Sequence, residues 1–77
     1  MMATGMLWLD ADAHRSLEEK VRRAAEYYRR KRGQAPATCY VSSKSLEGKA
    51  GLAVDGIRVL PSACIPASHF LLGESGG

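Results

Sequence analysis

The sequence has no long hydrophobic segment. Its longest apolar run covers residues 5–9, far short of the roughly 20 residues that a membrane-spanning helix needs. No basic residue precedes this run, and Asp10 and Asp12 follow it at once, a pattern that does not fit a secretory signal peptide. We therefore expect a cytoplasmic protein that makes no contact with a membrane.

Cysteine is also scarce. Cys39 and Cys64 are the only two, and they do not form a Cys-x-x-Cys pair. In a reducing cytosol they are interpreted as free thiols that fill space as small apolar residues. With His14 and His69 they offer zinc-ligand types, but their spacings match no zinc motif. We predict no metal and no cofactor, and leave open a site that Cys39, Cys64 and His69 form only in the folded chain.

Recognisable catalytic motifs are missing as well. The sequence contains no Gly-x-Ser-x-Gly elbow, and its glycines do not have the spacing of a phosphate-binding loop. A serine or a cysteine can be proposed as a nucleophile with His69 as its base, but residues this common allow such a proposal for almost any sequence. A domain with one helix also offers little depth for a closed pocket. We therefore predict that the protein is not an enzyme and has no catalytic residue.

What remains is an ordinary globular composition. The 77 residues are 45% hydrophobic and 25% charged, which argues against disorder. We expect a single small domain over residues 1–77, with flexible ends at 1–4 and 73–77. A chain of this length buries only about 60–65% of its unfolded surface. Its stability is therefore expected to be marginal, and a partner subunit would increase it.

One amphipathic helix, predicted over 16–32, organises the chain. Apolar residues recur on one of its faces at Leu17, Val21, Ala24 and Tyr28. Ser16 and Glu19 form a Ser-x-x-Glu capping box at the start, and Gly33 marks the end. An earlier start, capped by Asp12, is an alternative. Three Glu-before-Arg pairs at i, i+4 support the helix: Glu18–Arg22, Glu19–Arg23 and Glu26–Arg30.

Short strand signals flank this helix. Residues 6–9, 38–42 and 68–72 have the composition of strands, and Asp55-Gly56 predicts a type I′ hairpin turn. Together these elements predict an α+β two-layer sandwich, with one long helix packed on a small, mainly antiparallel sheet of three or four short strands. The side chains expected on the helix-facing side are Leu7, Leu9, Cys39, Val41, Ile57, Val59, Phe70 and Leu72.

The opposite face of this sheet is expected to lack cover within the chain, unless the segment 62–66 folds over it. The apolar residues predicted there are Met6, Trp8, Tyr40 and Leu71. Leaving a large apolar side chain in water costs about 1.5–3 kcal/mol relative to burial. We therefore predict a non-enzymatic protein-interaction or self-associating module. The partner is a second copy in a homodimer, which is the commonest oligomer, or another protein.

Positive charge is concentrated in the helix. Eight of the eleven Lys and Arg residues lie between Arg15 and Arg32, in a chain whose net charge is +3. One interpretation is a solvated face whose cations complement the helix dipole. The alternative function is nucleic-acid binding through the basic C-terminal half of the helix, by phosphate contacts and base stacking. The residues that would make these contacts are Arg22, Arg23, Tyr27, Arg29, Arg30, Lys31 and Arg32.

Several segments together resemble a group of short bacterial proteins. The resemblance rests on Ser16-Leu17-Glu18-Glu19-Lys20-Val21, Glu26-Tyr27-Tyr28, Gly33, Cys39-Tyr40-Val41, Gly56-Ile57-Arg58-Val59 and His69-Phe70-Leu71-Leu72-Gly73. These proteins are of unknown function, and none of the shared segments is a motif with known chemistry. The resemblance therefore implies a stand-alone bacterial domain, without implying an activity or functional residues.

Overall fold

The structure, a computed structural model, describes residues 5–73. The flexible ends predicted at 1–4 and 73–77 lie outside the described residues, except for Gly73. Gly73, which the sequence placed in the flexible end, is instead the last residue of a strand. Its carbonyl oxygen accepts the N–H of Ala37 at 2.8 Å.

Five strands and one α-helix build the domain. In chain order the elements are β1 (Met6–Leu9), α1 (Leu17–Arg32), β2 (Thr38–Ser42), a 3₁₀ helix (Ser43–Leu46), β3 (Leu52–Val54), β4 (Ile57–Ser62) and β5 (His69–Gly73). The predicted α+β class is confirmed. The sheet has five strands rather than three or four. Two of them, β1 and β3, have only four and three residues, which is too short for sequence patterns to count them reliably.

The sheet is mixed, with the strand order β1-β5-β2-β4-β3. β2 and β4 are parallel, and the remaining neighbours are antiparallel. Because β5 runs antiparallel to both β1 and β2, those two strands are parallel to each other. α1 connects them across one face, and β5 fills the gap between them. The parallel pair was not predicted, because strand pairing depends on contacts that local patterns do not encode.

Both predicted ends of the helix are confirmed. The Ser16 hydroxyl accepts the backbone N–H of Glu19 at 3.1 Å, and α1 begins at the next residue, Leu17. At the other end Gly33 has a φ of 85°, which favours glycine, and its N–H donates to the Arg29 carbonyl at 2.8 Å. The alternative start capped by Asp12 is wrong. Its carboxylate accepts the N–H of His14 at 2.9 Å, in a turn before the helix.

Fewer of the acidic residues of the helix form ion pairs with its arginines than predicted. Glu26 forms ion pairs with Arg29 at 3.3 Å and with Arg30 at 3.6 Å. Arg22 does not pair with Glu18 but reaches Asp55 in the β3–β4 turn, with 3.1 Å between Nε and Oδ2. Within residues 5–73, no ion pair joins Glu19 to Arg23. Exposed pairs of this kind are worth at most about 1 kcal/mol, so the shift changes the charge distribution more than the stability.

The predicted helix stripe forms the core. Val21, Ala24 and Tyr28 are fully buried, and Leu17 packs against them at the edge. The sheet and the 3₁₀ helix contribute the other buried apolar side chains, which are Cys39, Val41, Leu46, Val54, Ile57, Val59, Phe70 and Leu72. The hairpin turn is also confirmed, because Asp55 and Gly56 have φ values of 51° and 82°, as a type I′ turn requires.

The predicted orientation of β1 is reversed. Met6 and Trp8 pack against the core, whereas Leu7 and Leu9 are 60% and 62% exposed on the opposite face. All four side chains of the strand are apolar, so alternation alone cannot tell its two faces apart. The register with β5 decides, because it sets Trp8 opposite the buried Phe70. A one-residue slip in register exchanges the faces of a whole strand.

Val21 provides a direct test of the packing between α1 and the sheet. We expect Val21→Asp to abolish the cooperative thermal transition, because it buries an unpaired carboxylate in the core. Circular dichroism during heating measures this. Arg23→Asp is the matched control, since it places the same side chain on the exposed face of the same helix. A cooperative transition retained by Val21→Asp would contradict the packing.

Candidate interaction surfaces

The face of the sheet that points away from α1 carries a continuous apolar row. The strand register aligns one outward side chain from each of four adjacent strands, in the order Leu7, Leu71, Tyr40 and Leu60. Leu9 extends the row along β1. We call these five residues the outer apolar row. Leu7 and Leu9 are exposed, and the other three are half-buried.

Little charge accompanies the outer apolar row. Arg58, beside Ala53, is the only formally charged side chain that the five strands direct to this face. His69 lies opposite Leu9, and its Nδ1 is 2.9 Å from the carbonyl oxygen of Ala67. The small polar residues Thr38 and Ser42 are buried at the two ends of the central strand β2. The outer face is therefore apolar in its middle and weakly basic at one edge.

The structure places two of the four predicted interface residues on this face. Tyr40 and Leu71 lie in the outer apolar row, but Met6 and Trp8 lie on the inner face. Sequence reasoning missed Leu60, and it assigned Leu7 and Leu9 to the core. Knowledge of the pairing between β1 and β5 would have assigned the leucines of β1 to this face, because Leu7 aligns with Leu71.

A second surface lies on the exposed side of α1. A shallow cavity of about 340 Å³ is lined by Trp8, Arg22, Arg23, Glu26, Tyr27 and Arg30. We call these six residues the arginine groove. Arg22 and Arg23 lie on one turn of the helix and Arg30 about two turns further along, and all three line the groove with Tyr27. Trp8 reaches the groove from β1, at the edge of the sheet.

An aromatic contact forms one wall of the arginine groove. The rings of Trp8 and Tyr27 lie 4.9 Å apart between centroids, with planes inclined by 43°. The Lys31 ammonium is 5.6 Å from the centre of the Tyr27 ring, within the range of a cation–π contact. The indole N–H of Trp8 is buried and has no acceptor within residues 5–73.

The structure distributes the seven residues predicted for nucleic-acid contact along the helix. Four of them, Arg22, Arg23, Tyr27 and Arg30, line the arginine groove. Arg29 borders a neighbouring cavity beside Asp55. Arg32 stacks over Tyr28, with its Cζ 5.7 Å from the ring centre. Sequence reasoning missed Trp8 in this surface because it placed that side chain on the other face.

The residues weighed for metal binding or nucleophilic chemistry occupy separate places. Cys39 is buried in the core, whereas Cys64 is exposed in the segment after β4. His69 begins β5, and His14 is exposed before α1. Among residues 5–73, no three His, Cys, Asp or Glu side chains cluster as a metal site would require. Burial raises the pKa of Cys39 from 9.0 to about 12, so this thiol is protonated and unreactive at neutral pH.

No protein-family model, curated protein or solved structure matches the chain. The implied kinship with short bacterial proteins therefore stays a prediction. In the part of the chain that the structure describes, no helix is both long and apolar enough to span a bilayer.

The two thiols should differ sharply in reactivity. We expect a thiol reagent at pH 8 to modify Cys64 quickly and to leave Cys39 unmodified until the protein unfolds, because only Cys64 is exposed. Mass spectrometry of the intact protein counts the added groups, and peptide mapping assigns them. Rapid double modification of the native protein would contradict the burial of Cys39.

The raised pKa of Cys39 also predicts a loss of stability in base. The folded state keeps this thiol neutral up to about pH 12, whereas the unfolded chain ionises it near pH 9.0. The free energy of unfolding is therefore unaffected by this thiol well below pH 9. Above pH 9 it decreases, by about 1 kcal/mol at pH 10, because only the unfolded chain loses the proton. Urea unfolding of the parent and of Cys39→Val at pH 8 and pH 10 isolates this effect. Equal losses in both proteins would contradict it.

Proposed function

We propose that the protein is a small, non-enzymatic self-associating module, in which two copies pack their outer sheet faces together. The observation that supports this proposal is the outer apolar row. Four aligned side chains form one apolar strip across the sheet, with Leu9 beside it, and α1 covers only the opposite face. Contiguous exposed apolar surface of this kind marks an interaction site more often than isolated apolar residues do.

The charge distribution favours a second copy as the partner. The chain has a net charge of +3, so two copies repel each other unless their cations are kept apart. α1 contains seven basic and three acidic residues, and it lies on the face opposite the outer apolar row. A face-to-face dimer therefore brings together the surfaces with the least charge and directs both basic helices outward.

The size of the face suits a modest interface. A stable interface buries about 800 Å² on each partner, which is about a sixth of the chain's accessible surface of 4876 Å². A two-layer domain presents roughly that share on one sheet face, provided that the whole face takes part. We accordingly propose a dimer of moderate affinity with twofold symmetry, in which each outer apolar row packs against its counterpart.

Sedimentation tests this dimer. Sedimentation of the parent at about 100 µM should give a mass near twice the chain mass of 8.3 kDa. A dissociation constant in the micromolar range makes the dimer the main species at this concentration. Leu7→Lys should sediment as a monomer, because it puts a charge at the β1 end of the outer apolar row, within the proposed interface. Leu7 is largely exposed in the single chain, so this variant should still fold.

Ala13→Lys is the matched control, because it adds the same side chain at an exposed position outside the sheet. It should sediment as the parent does. A parent that remains monomeric near 1 mM would refute self-association. A Leu7→Lys variant that dimerises as well as the parent would move the interface away from the outer apolar row.

A further inference from the structure

We propose that the arginine groove binds single-stranded nucleic acid, with a backbone phosphate on Arg23 and an unstacked base against the Trp8–Tyr27 wall. This site is separate from the proposed dimer interface. It lies on the exposed side of α1, whereas the outer apolar row lies on the far face of the sheet. Each copy of a dimer would therefore present its own groove.

The first support is the balance of charge in the groove. Glu26 is neutralised by Arg29 and Arg30, and Arg22 is paired with Asp55. Arg23 forms no ion pair within the described residues, and it lines the cavity. The groove therefore holds one guanidinium whose charge is not matched in the fold. Phosphate oxygens are well suited to such a group, because a guanidinium can donate two parallel hydrogen bonds to them.

The second support is the aromatic wall. Tyr27 is 39% exposed although it packs on Trp8, so part of its ring is open to a ligand. Base stacking on an aromatic side chain is worth about 1–3 kcal/mol per base. The indole N–H of Trp8 is buried without an acceptor in residues 5–73, which also favours a ligand with hydrogen-bond acceptors. A buried donor left unpaired costs about 1–3 kcal/mol, and a ligand acceptor that reached it would remove that cost.

The shape of the groove favours a single strand over a duplex or an acidic peptide. The cavity is small and open, and Tyr27 lies between Arg23 and Arg30 along the helix. In a duplex the base faces are stacked and out of reach, whereas in a single strand they can splay onto aromatic rings. A peptide made only of acidic residues supplies the charge but no aromatic ring to stack on the wall.

The chain provides its own reporter, because Trp8 is its single tryptophan. Titration with a 12-nucleotide oligo-uridine at about 50 mM salt, where phosphate contacts are strong, should give saturable binding and change the Trp8 emission. Oligo-deoxythymidine serves as the DNA probe. Raising the salt should weaken binding, with a log–log slope of about −0.7 for each phosphate contact.

Two variants separate the phosphate contact from the stacking contact. Arg23→Gln should reduce the salt slope by about 0.7, the value for one phosphate contact to a single strand. Tyr27→Leu should weaken binding about tenfold, a loss typical of one stacked base, while keeping an apolar group over Trp8. Lys44→Gln is the control for charge, since Lys44 is an exposed cation in the 3₁₀ helix, outside the groove. It should change the slope less than Arg23→Gln does.

Three results would overturn the proposal. The first is no saturable binding of either oligonucleotide at low salt. The second is binding that leaves the Trp8 emission unchanged, which would place the nucleic acid elsewhere. The third is equally tight binding of polyglutamate with an equal change in Trp8 emission, which would reduce the groove to a surface for any polyanion. Because none of these readouts depends on association between copies, the test is distinguishable from that of the dimer.

Discussion

One helix has to cover the inner face of a five-stranded sheet, and most of the structure follows from that limit. An α-helix with its side chains is about 10 Å wide, whereas five strands spaced at about 4.8 Å span about 19 Å. The middle of the sheet is therefore dry, and Cys39, Val41 and Val59 are fully buried there. The margins need other cover. Tyr27 packs over Trp8 on the β1 side, and the 3₁₀ helix supplies Leu46 beside β4.

The same limit explains why the molecule has two unlike surfaces. With its only long helix on the inner face, the described chain leaves the outer face apolar in the middle. The exposed side of the helix faces water, and most of its charged residues are cations. Where the helix reaches the edge of the sheet, these cations lie beside Tyr27, which covers Trp8. The arginine groove is thus a by-product of how the margin of the core is closed.

Local signals in the sequence predicted the parts of the fold that a few neighbouring residues determine. The capped helix, its buried stripe, the Asp55-Gly56 turn and the inward side of β2 and β5 were all correct. The errors fall where distant segments meet. The orientation of β1, the parallel pairing of β2 with β4 and the strand count depend on register between strands. For the candidate surfaces, the basic residues and the pair Tyr40 and Leu71 could be found in advance. Trp8 in the groove and Leu7 in the outer apolar row could not be found in advance, since both positions depend on the register of β1 with β5.

The order of the strands has a consequence for how the chain is made. β1 contains the most apolar run of the sequence, and among residues 5–73 the only strand that pairs with it is β5, about sixty positions further along. A ribosome therefore produces this strand early and its partner late. Throughout synthesis of the intervening residues, β1 is an unpaired apolar edge, and such edges invite association between nascent chains. Pairing of distant segments is also slow. The yield of folded protein in the cell should therefore depend on how quickly translation reaches β5.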